Sequence, residues 1–360
     1  MLLQLLSSEG FSRLRCLNES KSKPIITGVI SSGFALLLAM VSCSPAVLAS
    51  SLPARDEDIY TDQVQLDLAE LQQQQSVTFA RDASAGSRGQ GEGVVPAETL
   101  IKSRFSGTLN VDFRSQYISY GIVLQPDGIS TQPYLNLRYS LYDGKSDKDF
   151  FNNVTVFVTS WNDFSTNTNL SRPTSSFRNF TEADLIGGFS VSFAKRFNFA
   201  FSVTQLISPA SAWSIGAFTK GVLSYDDTNQ IASNFGLRPQ LSLIYELPWY
   251  AQIGLQPNAF MLEPGITPNY TFNAKSTAPI NISLPMRIGL GSKFYNGSTY
   301  GFFSIGPQVT WKLPFLSSST YNTNLNLGYT FYNLGPTTTD FAPNGNPSQH
   351  VVNLGLGVNF

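Results

Sequence analysis

Charge is what this sequence has least of. Only 13% of its 360 residues are Asp, Glu, Lys or Arg, against roughly a quarter in an ordinary soluble domain. The 23 basic and 24 acidic residues leave a net charge of −1, which gives no electrostatic reason to expect nucleic acid as a partner. Histidine occurs once, at His350, and cysteine twice, at Cys16 and Cys43. Both cysteines precede Ala49, so a chain cleaved there has no disulfide framework and no thiol chemistry. Mean hydropathy is only −0.04, too low for a bundle of apolar membrane-spanning helices. Aromatic residues, by contrast, reach 13%, with 27 Phe and 15 Tyr. A chain that alternates lipid-facing and lumen-facing residues averages to this neutral hydropathy.

Residues 1–49 read as a signal peptide. Arg13, Arg15, Lys21 and Lys23 form a basic n-region, Ile25–Met40 an apolar h-region, and Val47-Leu48-Ala49 a small-residue cleavage site. The apolar stretch is too short for the ~20 residues a spanning helix needs, and Thr27, Ser31 and Ser32 interrupt it. Met40-Val41-Ser42-Cys43 also resembles a lipoprotein box, with Met where Leu is usual. A mature amino terminus at Ser50, read by mass spectrometry, excludes lipidation of Cys43. Residues 50–104 form a low-complexity periplasmic extension, with Gln72–Gln75 and a Gly-rich stretch at 86–93. Val64, Leu68 and Leu71 sit at helical spacing, while Val64, Leu66 and Leu68 fit strand alternation equally well.

From Phe105 the pattern becomes periodic. Leu109, Val111 and Phe113 alternate with Asn110 and Asp112, and Leu135, Leu137 and Tyr139 with Asn136 and Arg138. Phe197, Phe199 and Phe201 alternate with Asn198, Ala200 and Ser202; Leu325 and Leu327 alternate with Asn324 and Asn326. Such parity places the two sets on opposite faces of strands. The fold class is all-β: residues 105–360 form a transmembrane antiparallel up-and-down β-barrel of about twelve strands. Phe105–Leu124 counts as one long, bulged strand, and Ile253 and Leu255 mark another. Inner turns are expected at 143–152, 195–196, 226–234, 263–277 and 312–319. Outer loops are expected at 125–130, 162–180, 208–212, 247–250, 292–299 and 333–348, none of them long enough to predict a plug. A soluble β-sandwich also alternates, but its outward face would carry Lys and Glu rather than Phe, Leu, Val and Ile.

The last strand is the clearest. Val352, Leu354, Leu356, Val358 and Phe360 line one face, with Asn353, Gly355, Gly357 and Asn359 on the other. These five residues are expected to close the barrel against the first strand and to act as the signal read by the barrel-assembly machinery. By the same parity Arg114, Arg138, Lys220, Arg238, Arg287, Asp112 and Glu246 line the lumen. That set favours a weak anion preference, or equally a group of cross-bracing ion pairs that narrow the lumen. His350 and Ser348 share a face but form no nucleophile–base–orienter constellation. No cofactor, metal or catalytic residue is expected.

The stretch Asn110–Gly121, followed by Gln132-Pro-Tyr-Leu-Asn-Leu137, resembles the TorF-type family of bacterial outer-membrane barrels, as do Thr159–Phe164 and Leu284–Gly291. The family signature Tyr-x-Ser-Arg-Gly carries Tyr120 here at the Arg position. The resemblance implies fold and outer-membrane location, and brings no substrate or catalytic residue. The expected function is a porin-like channel for small solutes, with outer-membrane lipid and the assembly machinery as partners and oligomerisation open. The alternative is a closed structural or surface-interaction barrel without transport; an enzyme is a distant third.

Overall fold

The computed structural model describes residues 104–144, 149–167, 177–211, 216–247 and 258–360. The expected signal peptide with both cysteines, the expected extension up to residue 103 and the strand expected around Ile253–Leu255 lie outside the described residues.

The described chain is all-β, a closed 12-strand antiparallel barrel. The strands are β1 Phe105–Arg114, β2 Ser130–Asp143, β3 Phe151–Ser165, β4 Phe180–Phe193, β5 Phe197–Ile207 and β6 Gly216–Tyr225. β7 comprises Phe235–Gly236 and Gln240–Glu246, β8 Phe260–Ile266 and Asn269–Phe272, and β9 Ile280–Ser283 and Met286–Leu290. β10 comprises Tyr300–Ile305 and Gln308–Lys312, and β11 Asn322–Leu334 and β12 Ser348–Asn359 follow. Each strand pairs with its chain neighbours, and β1 pairs with β12, Thr108 opposite Asn359 through Arg114 opposite Asn353. No helix among the described residues is long and apolar enough to cross a membrane.

The interruptions in β7–β10 share a cause. Pro239, Pro268, Pro285 and Pro307 fall inside these four adjacent strands. Proline has no N–H to give to the ladder, so each strand breaks there and resumes in the same register. The proline carbonyls still accept, from Leu284 N–H to Pro268 O at 2.8 Å and from Tyr329 N–H to Pro307 O at 3.0 Å.

The outer wall is apolar. Leu109, Leu241, Leu243, Leu327, Leu354 and Leu356 are each 46–48% exposed, an arrangement water would penalise by about 25 cal/mol per Å² of apolar surface. Aromatic rings gather toward the strand ends, as an interior-to-interface transition requires. Phe150, Phe193, Phe197 and Tyr225 form a chain of ring contacts at 5.7, 5.6 and 4.8 Å. Phe164 stacks on Phe180 at 4.5 Å near the other end.

Two expectations need correction. Phe105–Leu124 is not one bulged strand: β1 ends at Arg114, and Tyr117–Ser119 pairs with Ile122–Gln125 in a separate small hairpin. The segment 263–277 is not a turn, because β8 runs to Phe272 and only 273–279 connects it to β9. Its Pro264 and Pro268 look like turn residues in sequence, yet a proline whose missing N–H costs one ladder bond is accommodated inside the wall.

At the closing seam Phe360 and Gly107 exchange two backbone hydrogen bonds, of 2.8 and 3.0 Å. The Phe360 ring lies where a Cβ on Gly107 would come within 2.4 Å of it. Deleting Phe360 removes both bonds and this contact. The expected outcome is a barrel still exported but assembled in lower yield, and less stable by roughly 1–3 kcal/mol. The temperature at which the heat-modifiable gel band converts should fall accordingly; an unchanged conversion temperature would show that the seam closes without it.

Candidate functional site

One end of the barrel carries residues 104 and 360 and the tight turn 194–196; the other carries Ser165 at the end of β3, Phe180 at the start of β4, and the connections 115–129, 291–299 and 335–347. The interior at this loop end is filled. Ten strands each send one buried apolar side chain inward: Tyr134, Trp161, Ile186, Leu206, Phe218, Ile244, Met261, Phe302, Tyr332 and Val351, all 0–6% exposed. Into this collar folds the hairpin 117–125, with Tyr117, Ile118, Tyr120, Ile122 and Val123 at 1–3% exposure. A connection that reaches inward is therefore present, although no outer loop was long enough in sequence to predict a plug. Counting Tyr117–Leu124 as strand had hidden it.

The hairpin turns on Tyr120 and Gly121, with φ of 46° and 86°. Positive φ at both central positions is the type I′ arrangement that matches strand twist. Glycine takes it freely, whereas a bulky residue there is uncommon and disfavoured. Tyr120 is held by its surroundings. Its ring meets Phe218 and Phe294 edge-on at 6.4 and 6.2 Å, and Lys220 Nζ lies 5.5 Å from its centroid. Such edge contacts and the cation over the ring face each contribute on the order of 1 kcal/mol.

Two further connections complete the filling. Phe294 and Tyr295 of 291–299 are fully buried, and the Tyr295 hydroxyl lies 3.1 Å from the Tyr120 carbonyl and 2.8 Å from Met261 Sδ. Glycine in the wall makes room: a Cβ at Gly301 would stand 1.9 Å from the Tyr295 ring, and one at Gly289 2.3 Å from Phe302. From 335–347, buried Thr338 donates to the carbonyl of Gly301 at 2.5 Å.

Beside the hairpin, β3 and β4 hold three buried carboxylates, Asp163, Glu182 and Asp184, at 0–3% exposure. Asp163 accepts from the hydroxyls of Ser130, Ser165 and Thr181. Glu182 accepts from the Tyr117 hydroxyl at 3.3 Å. Glu182 Oε1 and both carboxylate oxygens of Asp184 accept no hydrogen bond from the described residues. Among the described residues no group of His, Cys, Asp and Glu is placed to hold a metal ion.

The chain is similar in fold to solved bacterial barrels. The β domain of the Bordetella autotransporter BrkA matches at 8% identity and a TM-score of 0.41, covering 71% of this chain and 98% of that one. An outer membrane channel from Pseudomonas putida F1 matches at 11% and 0.40, over 74% and 100% of the two chains. KdgM porin matches at 10% and 0.33, over 70% and 98%. No protein-family model and no curated protein matches the sequence. The TorF-type resemblance therefore stays a resemblance, and these likenesses assign no activity.

The residues expected in the lumen fall in different places. Lys220 is beside the hairpin. Arg287 and Glu263 form a buried ion pair at 3.6 Å, their side chains 6% and 1% exposed. Asp112 is buried against the closing seam, where it accepts from Asn110 at 2.7 Å. Arg138 donates to Asn136 at 2.6 Å, Arg114 is half-buried at the end of β1, and Glu246 is buried at the end of β7. Arg238 lies at the turn end, 3.9 Å from Asp226 and hydrogen-bonded to Thr228, so it is separate from the others. Asp163, Glu182, Asp184 and Glu263 are buried on the strands as well, and none of them was among the residues expected in the lumen. Extending the parity of Thr155 and Thr159 to Asp163, and of Ile186 back to Asp184 and Glu182, would have found three of them. With these included, buried carboxylates on the strands outnumber buried cations.

Proposed function

We propose that the chain is an outer-membrane barrel, loop end outward, whose channel for small solutes is gated by the hairpin 117–125 rather than permanently open. The carrying observation is the collar of ten wall side chains closed around that hairpin. A porin needs a wetted lumen, whereas the inward side chains and the hairpin at this end are buried among one another. The apolar wall with its aromatic ends supports insertion in lipid. The closing-strand residues Val352, Leu354, Leu356, Val358 and Phe360 would serve the assembly machinery. A weak anion preference finds no support in an interior where carboxylates prevail. His350 supports a non-enzymatic reading: it faces outward, 2.7 Å from the Tyr329 hydroxyl, away from the interior carboxylates and hydroxyls.

Planar-bilayer recording tests this. The native barrel should show little or no current, and a variant with 117–124 replaced by Gly-Gly should conduct in discrete steps. A replaced barrel that migrates as folded yet passes no current would remove the channel reading and leave the closed structural barrel.

A further inference from the structure

The hairpin meets the wall as a ligand would. Tyr117 presents a phenol to Glu182 at 3.3 Å and its ring to Trp161 at 5.6 Å. Tyr120 presents an aromatic face to Lys220 and edges to Phe218 and Phe294, and Ile118, Ile122 and Val123 fill the remaining apolar contacts. None of these interactions holds the barrel wall together, because the ladder from β2 to β6 closes without the hairpin. The collar is thus a preformed apolar surface bearing a few directed polar groups, the usual composition of a small-molecule site.

We infer that the collar is a binding site for small aromatic solutes that carry a hydroxyl or an amine, and that the hairpin is its built-in competitor. This deepens the gated-channel reading and rests on it. The polar end of the solute is assigned by Asp184 and Glu182. Asp184 is 3% exposed and accepts nothing from the described residues through either oxygen, and Glu182 has one oxygen in use. Burying carboxylates in this condition is costly unless a donor or a cation meets them, and a phenolic hydroxyl or an ammonium supplies one. The aromatic part is assigned by what the hairpin itself inserts, two tyrosines among Trp161, Phe218, Phe294 and Phe302. Neutral sugars would bury several hydroxyls without partners against the collar's apolar side chains and are excluded from the class.

Tyramine, which joins a phenol to an amine, is a suitable probe. Equilibrium dialysis is run on the detergent-folded full-length protein, on the Gly-Gly replacement of 117–124, and on that replacement with Asp184→Asn. Tyramine should be retained by the replacement, about tenfold less by its Asp184→Asn form, and not by the native barrel; glucose should be retained by none. If the replacement loses heat-modifiable migration, Tyr117→Ala with Tyr120→Gly serves instead, since it vacates the two aromatic positions and the contact with Glu182 and relieves the positive φ. A replacement that conducts in bilayers but retains no tyramine overturns the inference and leaves the gating reading intact. Retention unaffected by Asp184→Asn overturns the assigned polar contact. Retention without conductance upholds the site and removes the channel.

Discussion

Gly301→Leu is expected to displace Tyr295 from the barrel interior and to destabilise the folded protein by roughly 3–5 kcal/mol, the range for losing a buried aromatic side chain. A Cβ at this position would stand 1.9 Å from Cζ of Tyr295 and 2.2–2.3 Å from its ring edges. No small shift relieves that, because the ring is also fixed by its hydroxyl near Tyr120 O and Met261 Sδ and by Phe294 at 5.1 Å. The backbone at Gly301 cannot retreat either. It lies in β10 beside Phe302, whose partner is Leu334 on β11, and its carbonyl accepts from Thr338 and from the N–H of Gly335. The whole segment 291–299 must therefore move outward, taking with it the support under Tyr120. Two readouts should change together: the conversion temperature of the heat-modifiable band should fall, and proteolysis near Lys293 should accelerate. A variant as stable and as protease-resistant as the native protein would show that the loop-end filling is not a cooperative unit.

Asp163→Ala should be nearly as damaging, through orphaned donors rather than a clash. Three hydroxyls converge on this carboxylate, those of Ser130, Ser165 and Thr181, and Gln132 Nε2 approaches at 3.5 Å. Alanine leaves these buried donors without their common acceptor, at about 1–3 kcal/mol for each that finds no other. Some will rotate to other partners, as Thr181 can toward the Asp163 carbonyl at 3.2 Å, so a total of roughly 3–4 kcal/mol is expected. Asp163→Asn keeps an acceptor oxygen for these hydroxyls, so it should cost less than half as much. Urea titration in detergent compares the two variants. Equal losses would mean that the charge, and not the hydrogen-bond geometry, is what the site requires.

The wall was legible in the sequence because a period-2 pattern reports directly which face each residue takes. Leu135, Asn136, Leu137 and Arg138 illustrate it: two outward leucines, and two inward polar residues hydrogen-bonded to each other. What fills the tube was not legible, for two physical reasons. Tyr117-Ile-Ser-Tyr-Gly-Ile-Val123 reads as strand, and it is strand; nothing local says that it pairs with itself instead of with β12. Its turn also lacks the Asn-Gly or Asp-Gly that usually marks a type I′ hairpin, because packing around Tyr120 sustains a backbone that propensity disfavours. The buried acids escaped for a different reason: Asp163 sits in an Asn-, Ser- and Thr-rich segment that resembles loop, yet β3 continues to Ser165.

The four prolines of β7–β10 bear on how such a tube yields to force. A closed hydrogen-bonded ladder resists ovalisation because bending any one junction stretches its neighbours in series. β4, β5 and β6 pair without register shift and make a stiff arc. The arc from β7 to β10 lacks a ladder donor at a proline inside each strand, and β9 shifts register against β10 between Gly289 and Leu290. Stiffness around the circumference is therefore uneven. Lateral pressure from the surrounding bilayer, or from anything forced into the bore, is taken up in that soft arc, which also carries the buried Arg287–Glu263 pair as its internal tie.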